Sequence, residues 1–199
     1  MDTPETVLQY WFGSNSDDAV VAAEQANLWW SHSETVDGEI RERFESLVLQ
    51  AGARELDEWA SQPRSLLALI LLTDQFPRNM YRGSARAFAF DPKALAWSLE
   101  GITAGGDLEL RPIERVFFYL PFEHAESLAH QNRSVALFQK LVETVPVEQK
   151  SKFEGFLDFA VRHRAVIARF GRFPHRNKML GRQSTAEESL FLTEPGSSF

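Results

Sequence analysis

Two short segments of the chain repeat a combination of residue types that could bind an anion. Residues 76–83 read Phe-Pro-Arg-Asn-Met-Tyr-Arg-Gly, and residues 173–182 read Phe-Pro-His-Arg-Asn-Lys-Met-Leu-Gly-Arg. Both follow an apolar helical stretch. Proline ends helices, glycine permits unusual backbone angles, and arginine and asparagine supply fixed hydrogen-bond donors. Two such turns would build one donor-rich pocket from opposite ends of the chain if the fold brings them together, which the sequence leaves open.

The predicted ligand is a small anion or a peptide that carries a carboxylate or phosphate group. Sixteen of the 21 basic residues are arginine, the residue suited to planar, two-pronged recognition of these groups. The local carboxylates are too few to pair every guanidinium group, which favours a ligand. The predicted ligand-binding residues are Asp74, Arg78, Asn79, Arg82, His124, Arg172, His175, Arg176 and Asn177.

A structural role for part of this set is the alternative. Asp74 could pair with an arginine only to fix the turn, and the Asn79 side chain could satisfy its own backbone. Under this interpretation the arginine turns hold helices together and bind nothing.

Three residues are candidates for acid–base catalysis: His175, His124 and Glu126. The pKa of histidine lies near neutrality, and neighbouring arginines should hold His175 neutral. The other two lie in the dense carboxylate–imidazole segment 119–131. If that segment is one continuous helix, Glu123, Glu126 and His130 share a face. These side chains could equally be the acidic partners of the arginine turns.

The sequence predicts no metal site and no cofactor. It has no cysteine, no pair of histidines four residues apart, no phosphate-binding glycine loop, no dinucleotide fingerprint and no nucleophile elbow. His163, on the last long helix, is expected to be a structural histidine.

Charge and composition exclude several broad classes. The net charge is −7 and the pI is near 5.3, which argues against nucleic-acid or anionic-membrane binding. The first residues lack a signal pattern, and the longest apolar run, residues 66–72, is too short to span a bilayer. We therefore expect a cytoplasmic protein with neither a nucleic-acid nor a membrane partner.

The pattern of apolar residues is helical nearly throughout. Residues 66–72 are apolar on all sides and predict the central buried helix, with a buried strand as the alternative. Caps are expected at Thr3, at Asp17 or Asp18, at Ser33 or Thr35, and at Asp91 before Pro92. Gly52 should interrupt a helix, Pro121 should kink or end one, and long helices should span 128–142 and 148–170.

Helix pairs joined by short turns predict an all-α fold of stacked antiparallel helix hairpins, the construction of helical repeat proteins. We expect a single domain over residues 1–192 and a flexible C-terminal tail over 193–199. The two arginine motifs, about one hundred residues apart, suggest two related halves.

Several long motifs resemble a bacterial domain-of-unknown-function family. They are Leu-Leu-Thr-Asp-Gln-Phe-Pro-Arg-Asn at 71–79, Arg-Ala-Phe-Ala-Phe-Asp at 86–91, Leu-Pro-Phe-Glu-His-Ala-Glu at 120–126 and Arg-Phe-Gly-Arg-Phe-Pro-His-Arg-Asn at 169–177. The resemblance covers almost the whole chain and implies a tetratricopeptide-like helical fold. It implies no activity. The family more often has leucine or methionine at the position of Phe122 and serine at that of Ala125.

Three functions follow from these residues. The first is a helical domain that binds a small anionic ligand or peptide. The second is a hydrolase or lyase in which His175 or His124 is the general base and the arginines stabilise negative charge. The third is a scaffold for a protein partner.

Overall fold

The computed structural model describes residues 3–198, and helices joined by short turns make up this range. A π-helical turn, Leu71–Gln75, joins the helix Pro63–Ile70 to the helix Phe76–Met80. Within residues 3–198 no β-strand occurs, so the predicted all-α class is confirmed. The α-helices are α1 (Pro4–Phe12), α2 (Asp18–Glu24), α3 (Ala26–Trp30), α4 (Glu34–Ala53), α5 (Pro63–Ile70), α6 (Phe76–Met80), α7 (Asp91–Thr103), α8 (Pro112–Glu123), α9 (Leu128–Thr144), α10 (Lys150–Phe170) and α11 (Ala186–Phe191). Short 3-10 segments occupy Asp57–Ser61, Ala85–Phe88, Gly106–Glu109 and Pro174–Arg176.

Side-chain caps determine where several helices begin, as the sequence predicted. The Thr3, Asp17 and Ser33 side chains each accept a backbone N–H from the first turn of α1, α2 and α4. Such a cap pairs a backbone group that the helix itself leaves unpaired and contributes about 1 kcal/mol. The predicted cap at Asp91 is wrong, because Asp91 is the first residue of α7 and Phe90 precedes it as the N-cap. The Asp91 carboxylate is therefore available for other partners.

Two buried segments form the centre of the fold: α5 with its π-helical continuation, and α8. Every residue from 66 to 77 is buried, and so is every residue from 113 to 123. The apolar run at 66–72 is thus the central buried helix and not a strand. Helices α1 and α7 pack on α5, and α4 packs on the π turn and α6. Helices α8, α9 and α10 follow one another through short connections and pack in sequence, so they form antiparallel hairpins.

Aromatic side chains join the first helices to this centre. The ring of Trp11 lies 5.3 Å from that of Phe76 and 5.5 Å from that of Phe117, measured between ring centroids. Trp29 lies 4.7 Å from Phe117, and its indole N–H donates to the Trp11 carbonyl at 2.9 Å. Edge-to-face contacts of this kind contribute about 1 kcal/mol beyond the area they bury.

Two predicted helix ends are wrong. Helix α4 continues through Gly52 to Ala53. A Cβ at Gly52 would lie 2.4 Å from the Phe90 ring, so the glycine allows close packing and does not end the helix. Pro77 also lies inside a helix, α6, which runs to Met80. Proline is tolerated there because it has no N–H to pair in the first turn, directly after the π-helical turn.

The sequence suggested that the two arginine motifs mark two related halves of the chain, and their local structures contradict this. The first motif is α-helical through Met80, whereas the second is a 3-10 turn, Pro174–Arg176, that follows the left-handed Gly171 at the end of α10. The repeated residues therefore do not mark two halves with the same local structure.

The segment 119–131 is not one helix. Helix α8 contains Pro121 and ends at Glu123, and α9 begins at Leu128. The sequence placed Glu123, Glu126 and His130 on one face only if the segment were a continuous helix. Because the segment is not continuous, they share no such face.

The predicted tail, residues 193–199, is described as far as residue 198. Residues 193–196 are exposed and form turns, and the buried Ser197 donates its hydroxyl hydrogen to the Leu192 carbonyl at 3.3 Å. Phe199, the last residue of that predicted tail, lies outside the described residues. Among residues 3–198 no helix has the length and apolar character that crossing a bilayer requires.

A matched pair of glycine substitutions tests the packing of α7 on the centre. A Cβ at Gly101 would lie 2.5 Å from Phe118 and 2.7 Å from Leu66, whereas a Cβ at Gly155 on α10 would meet nothing within 4 Å. We expect Gly101→Ala to lower the free energy of unfolding by about 1–3 kcal/mol through overpacking. We expect Gly155→Ala to raise it by about 0.5–1 kcal/mol through helix propensity. Urea denaturation measures both, and a Gly101→Ala variant as stable as wild type would contradict this packing.

Candidate functional site

The two arginine motifs meet at one carboxylate, that of Asp91 at the start of α7. Arg78 donates from Nη1 and Nη2 to the two Asp91 oxygens at 2.9 and 3.0 Å. Arg176 donates from Nη1 to Asp91 Oδ2 at 3.4 Å. The sequence left open whether the two motifs meet, and it assigned Asp91 to a helix cap.

Asp74 on the π turn joins this group to His124, the residue that follows α8. The Asp74 side chain is fully buried, and its Oδ1 lies 2.7 Å from His124 Nδ1 and 3.3 Å from Arg78 Nη1. Its Oδ2 accepts from Gln75 Nε2 at 2.6 Å, and the Asp74 carbonyl accepts from Arg78 at 2.6 Å. We call Asp74, Arg78, Asp91, His124 and Arg176 the central cluster.

Burial and charge together determine the protonation states in the central cluster. Burial alone would raise the pKa of Asp74, but Arg78 and His124 outweigh it and hold the pKa well below its ordinary value. Burial, followed by the charge of Arg78, lowers the pKa of His124. At pH 7 the cluster therefore contains an ionised Asp74 next to a neutral His124.

Arg176 is the least completely paired charge of the central cluster. Its side chain is 7% exposed, and its Nε has no hydrogen-bond partner among the described residues. The guanidinium carbon lies 4.6 Å from the ring centroid of Phe88 and 4.4 Å from that of Phe173. Burial, together with repulsion from Arg78, lowers the pKa of Arg176 to about 10. A buried guanidinium with one long ion pair lacks most of the compensation that burial requires.

A second buried pair, Glu123 and His163, lies beside the central cluster. Glu123 Oε1 is 3.0 Å from His163 Nδ1, which also contacts the Phe159 carbonyl at 2.9 Å. The ring of His163 lies 6.2 Å from that of His124. Burial, and then the charge of Asp74, raises the pKa of Glu123 to about 8, and burial lowers the pKa of His163 to about 3. The pair is therefore neutral at pH 7.

Asn79 and Arg82, from the first motif, contact a different carboxylate. Arg82 donates from Nε and Nη2 to the two Asp37 oxygens at 2.7 and 2.9 Å, and Asn79 Nδ2 donates to Asp37 Oδ1 at 3.1 Å. Burial opposes ionisation of Asp37, but the hydrogen bonds from Arg82 and Asn79 lower its pKa. These two residues tie α6 and the following turn to α4.

Arg172 and Asn177, from the second motif, are likewise paired away from the central cluster. Arg172 donates from Nε and Nη2 to Glu188 at 2.6 and 2.8 Å, and Asn177 Nδ2 donates to Glu188 Oε2 at 3.2 Å. The hydrogen bond from Arg172 is the main cause that lowers the pKa of Glu188 to about 2. The sequence argument counted only local carboxylates, whereas Arg82 and Arg172 pair with Asp37 and Glu188, which lie 45 and 16 residues away. The inference that unpaired charge favours a ligand was therefore wrong for these two arginines.

The catalytic candidates have different surroundings. Glu126 accepts from Arg182 at 2.6 and 2.9 Å and from the Phe173 N–H at 2.7 Å, and despite its burial these donors lower its pKa. Burial, with the adjacent charge of Arg176, lowers the pKa of His175 to about 4. His175 is therefore neutral at pH 7, and its ring lies 5.6 Å from that of Phe173.

The structure thus brings together four of the predicted ligand-binding residues, Asp74, Arg78, His124 and Arg176, and adds Asp91. Sequence reasoning missed Asp91, and the one signal that marked it was its place at the end of the motif at 86–91 on which the family resemblance depends. Among residues 3–198 no group of three or more histidine, aspartate or glutamate side chains is arranged to hold a metal ion. A separate surface cleft near Asp18 and Arg111 includes no residue of the cluster, and these two are paired with each other at 2.6 Å.

Comparison with known proteins places the chain among bacterial proteins without an assigned activity. A family model described as "Bacterial protein of unknown function (DUF924)" matches residues 7–196. The solved structure of the protein of unknown function ATU0120 from Agrobacterium tumefaciens is 40% identical, with a TM-score of 0.74. The match covers 88% of this chain and 98% of that chain. No curated protein matches the chain.

The pKa of Glu123 predicts a specific dependence of stability on pH. The carboxyl pKa is about 8 in the folded state and about 4.3 when unfolded. Between these values the folded state keeps a proton that the unfolded state has released, so the free energy of unfolding should fall as pH rises. The loss is at most about 1.4 kcal/mol per pH unit, and it levels off above pH 8.

Glu123→Gln resembles the protonated acid and should lack this dependence. Urea denaturation of both proteins at pH 5, 6.5 and 8 gives the difference in the free energy of unfolding. We expect the free energy of unfolding of Glu123→Gln to rise relative to that of wild type as the pH rises. A difference that stays constant with pH would mean that Glu123 is ionised in the folded protein.

Substitutions of the two arginines of the central cluster should have opposite effects on stability. Arg78→Met removes a charge that compensates the fully buried Asp74, and it should cost about 3–5 kcal/mol. Arg176→Met removes a poorly paired buried charge and keeps an apolar side chain between Phe88 and Phe173. We expect it to leave stability unchanged or to raise it. Chemical denaturation tests the contrast, and equal losses would show that the two guanidinium groups are equally well paired.

Proposed function

The chain belongs to the DUF924 family of bacterial proteins of unknown function, and we propose from its own side chains that it binds a small anion at Arg176 and Arg78. The observation that carries the proposal is the incomplete pairing of Arg176. This guanidinium is 7% exposed, has one long contact with a carboxylate that Arg78 already occupies, and has an unpartnered Nε. A bound carboxylate or phosphate would supply the missing negative charge and hydrogen-bond acceptors.

The surroundings of Arg176 favour a planar or branched anionic group. Phe88 and Phe173 flank the guanidinium and fix its plane, so its donors keep a constant direction. His175 and His124 are neutral at pH 7, so neither ring adds charge to the site. Arg78 and Asp91, whose side chains are each 18% exposed, connect this group to solvent.

The proposed site is narrower than the set expected from the sequence. The donors of Asn79 and Arg82 are engaged by Asp37, and those of Arg172 and Asn177 by Glu188. We assign these four residues to holding the two motifs in place. For these residues the contacts favour the structural alternative, in which the arginine turns hold helices together. A site limited to a few side chains suits a small carboxylate or phosphate compound better than a polymer.

Thermal unfolding in the presence of simple anions tests the proposal. The probes are inorganic phosphate, malonate and citrate, at low ionic strength because salt screens exposed charges. A ligand at 100 times its dissociation constant stabilises the folded state by about 2.7 kcal/mol. We expect at least one probe to raise the melting temperature of wild type and to have no effect on Arg176→Met.

Arg169→Met is the matched control. Its guanidinium is 46% exposed and pairs with Glu187 on the surface, so the substitution makes the same charge change outside the central cluster. It should keep the response to the anion. The proposal is wrong if none of the three probes stabilises wild type, or if Arg176→Met responds as wild type does.

A further inference from the structure

The contact between Asp74 and His124 determines which imidazole nitrogen carries the proton. Asp74 is fully buried and ionised, and an ionised carboxylate can only accept hydrogen bonds. Its Oδ1 lies 2.7 Å from His124 Nδ1, so this nitrogen carries the hydrogen. The lone pair of the neutral ring is then on Nε2. A buried carboxylate that orients a neutral histidine in this way is the arrangement of a general base.

The anion site lies directly beside this pair. Arg78 Nη1 is 3.3 Å from Asp74 Oδ1 and 2.9 Å from Asp91 Oδ1, and Arg176 contacts the same Asp91 carboxylate. His124 and Arg176 are therefore separated by a single arginine side chain and its carboxylate partners. Arg78 thus contacts both the carboxylate that orients His124 and the carboxylate that pairs with Arg176.

We propose that His124 is a catalytic base of the anion site and that Asp74 is its positioning residue. This inference rests on the proposed function. The substrate class is a small carboxylate or phosphate compound with a hydrolysable bond. Nε2 takes a proton from water, and the oxygen of that water forms a bond to the electrophilic carbon or phosphorus with the electron pair of the broken O–H bond. The hydrolysable bond then breaks with its electron pair on the leaving oxygen or nitrogen, which takes the proton from the His124 imidazolium. The ionised Asp74 stabilises that imidazolium between the two proton transfers.

Other groups around the site have contacts that suit a supporting role better. Glu126 is held by Arg182 and by the Phe173 N–H. Glu123 is directed toward His163 on α10. The charged and titratable groups that interact with His124 are Asp74 from the π turn, Arg78 from α6, Asp91 from α7, His163 from α10 and His175 from the turn after α10. Burial, with the charge of Arg78, keeps the His124 ring neutral at pH 7.

Alkylation by bromoacetate tests the inference without knowledge of the substrate. The carboxylate of the reagent would bind at Arg176, and the Nε2 lone pair would attack the methylene carbon while bromide leaves with the electron pair of the C–Br bond. The chain has no cysteine, so no thiol competes for the reagent. Peptide mass spectrometry identifies the modified residue and gives its rate of modification. Bromoacetamide, which is neutral and has the same leaving group, is the matched control reagent.

We expect bromoacetate to modify His124 about tenfold or more faster than bromoacetamide does, because a local positive field concentrates the anion. In Arg176→Met this preference should disappear while bromoacetamide still reacts. In Asp74→Asn both reagents should react more slowly, because Nδ1 loses its carboxylate. Circular dichroism checks that the Asp74 variant is folded, and the Arg176→Met comparison decides the question if it is not.

The outcomes separate this inference from the proposed function. If phosphate, malonate or citrate stabilises wild type through Arg176 but His124 remains unmodified, the assignment of the base is wrong and anion binding stands. If His124 reacts equally fast with both reagents and no anion stabilises the protein, the anion site is wrong, and the inference that rests on it fails as well.

Discussion

The carboxylate of Asp91 connects parts of the chain that are distant in sequence. Arg78 comes from the helix that follows the central buried segment, and Arg176 comes from the turn after the last long helix. Both reach the first residue of α7, so the contact fixes α6, α7 and the end of α10 relative to one another. Asp74 extends the same connection to the end of α8 through His124. The position of the candidate site therefore depends on this shared ion pair.

Burial makes the site sensitive to where each proton resides. In a medium of low polarity a charge persists only next to an opposite charge, and a group without one becomes neutral. Asp74 and Asp91 have arginine partners, and Asp74 is held ionised by them. Glu123 has no arginine partner and keeps its proton at neutral pH. Two carboxyl groups on adjacent elements thus differ in charge because only one of them contacts a guanidinium.

Local features of the fold could be predicted from the sequence because they depend on neighbouring residues. Thr3 and Asp17 cap their helices, and the apolar run at 66–72 is buried, as composition and spacing indicate. The partners of the arginines could not be predicted in this way. Asp37, Asp91 and Glu188 lie between 13 and 85 residues from the arginines they pair with, so only the packed helices bring them into contact.

Long-range packing, which the local sequence does not show, also explains the error at Gly52. A glycine inside a helix is unfavourable when local structure alone is considered. At Gly52, however, the Phe90 ring occupies the space that a side chain would need, so only glycine fits there. The role of Asp91 was missed for a related reason. Its position before Pro92 is typical of a cap, and only the tertiary structure shows that its carboxylate is directed to Arg78.

The π turn at Leu71–Gln75 has a consequence for the angular phase of the helix that contains it. Its closing hydrogen bond runs from the Phe76 N–H to the Leu71 carbonyl, which places one residue more in the turn than α geometry allows. Each residue of an α-helix rotates the chain by about 100°, so the side chains on either side of the turn follow two different rotational frames. The frame before the turn is set by packing on α1 and α7, and the frame after it directs Arg78 on α6 to Asp91. The length of this segment therefore constrains the site as strictly as the identities of its residues do.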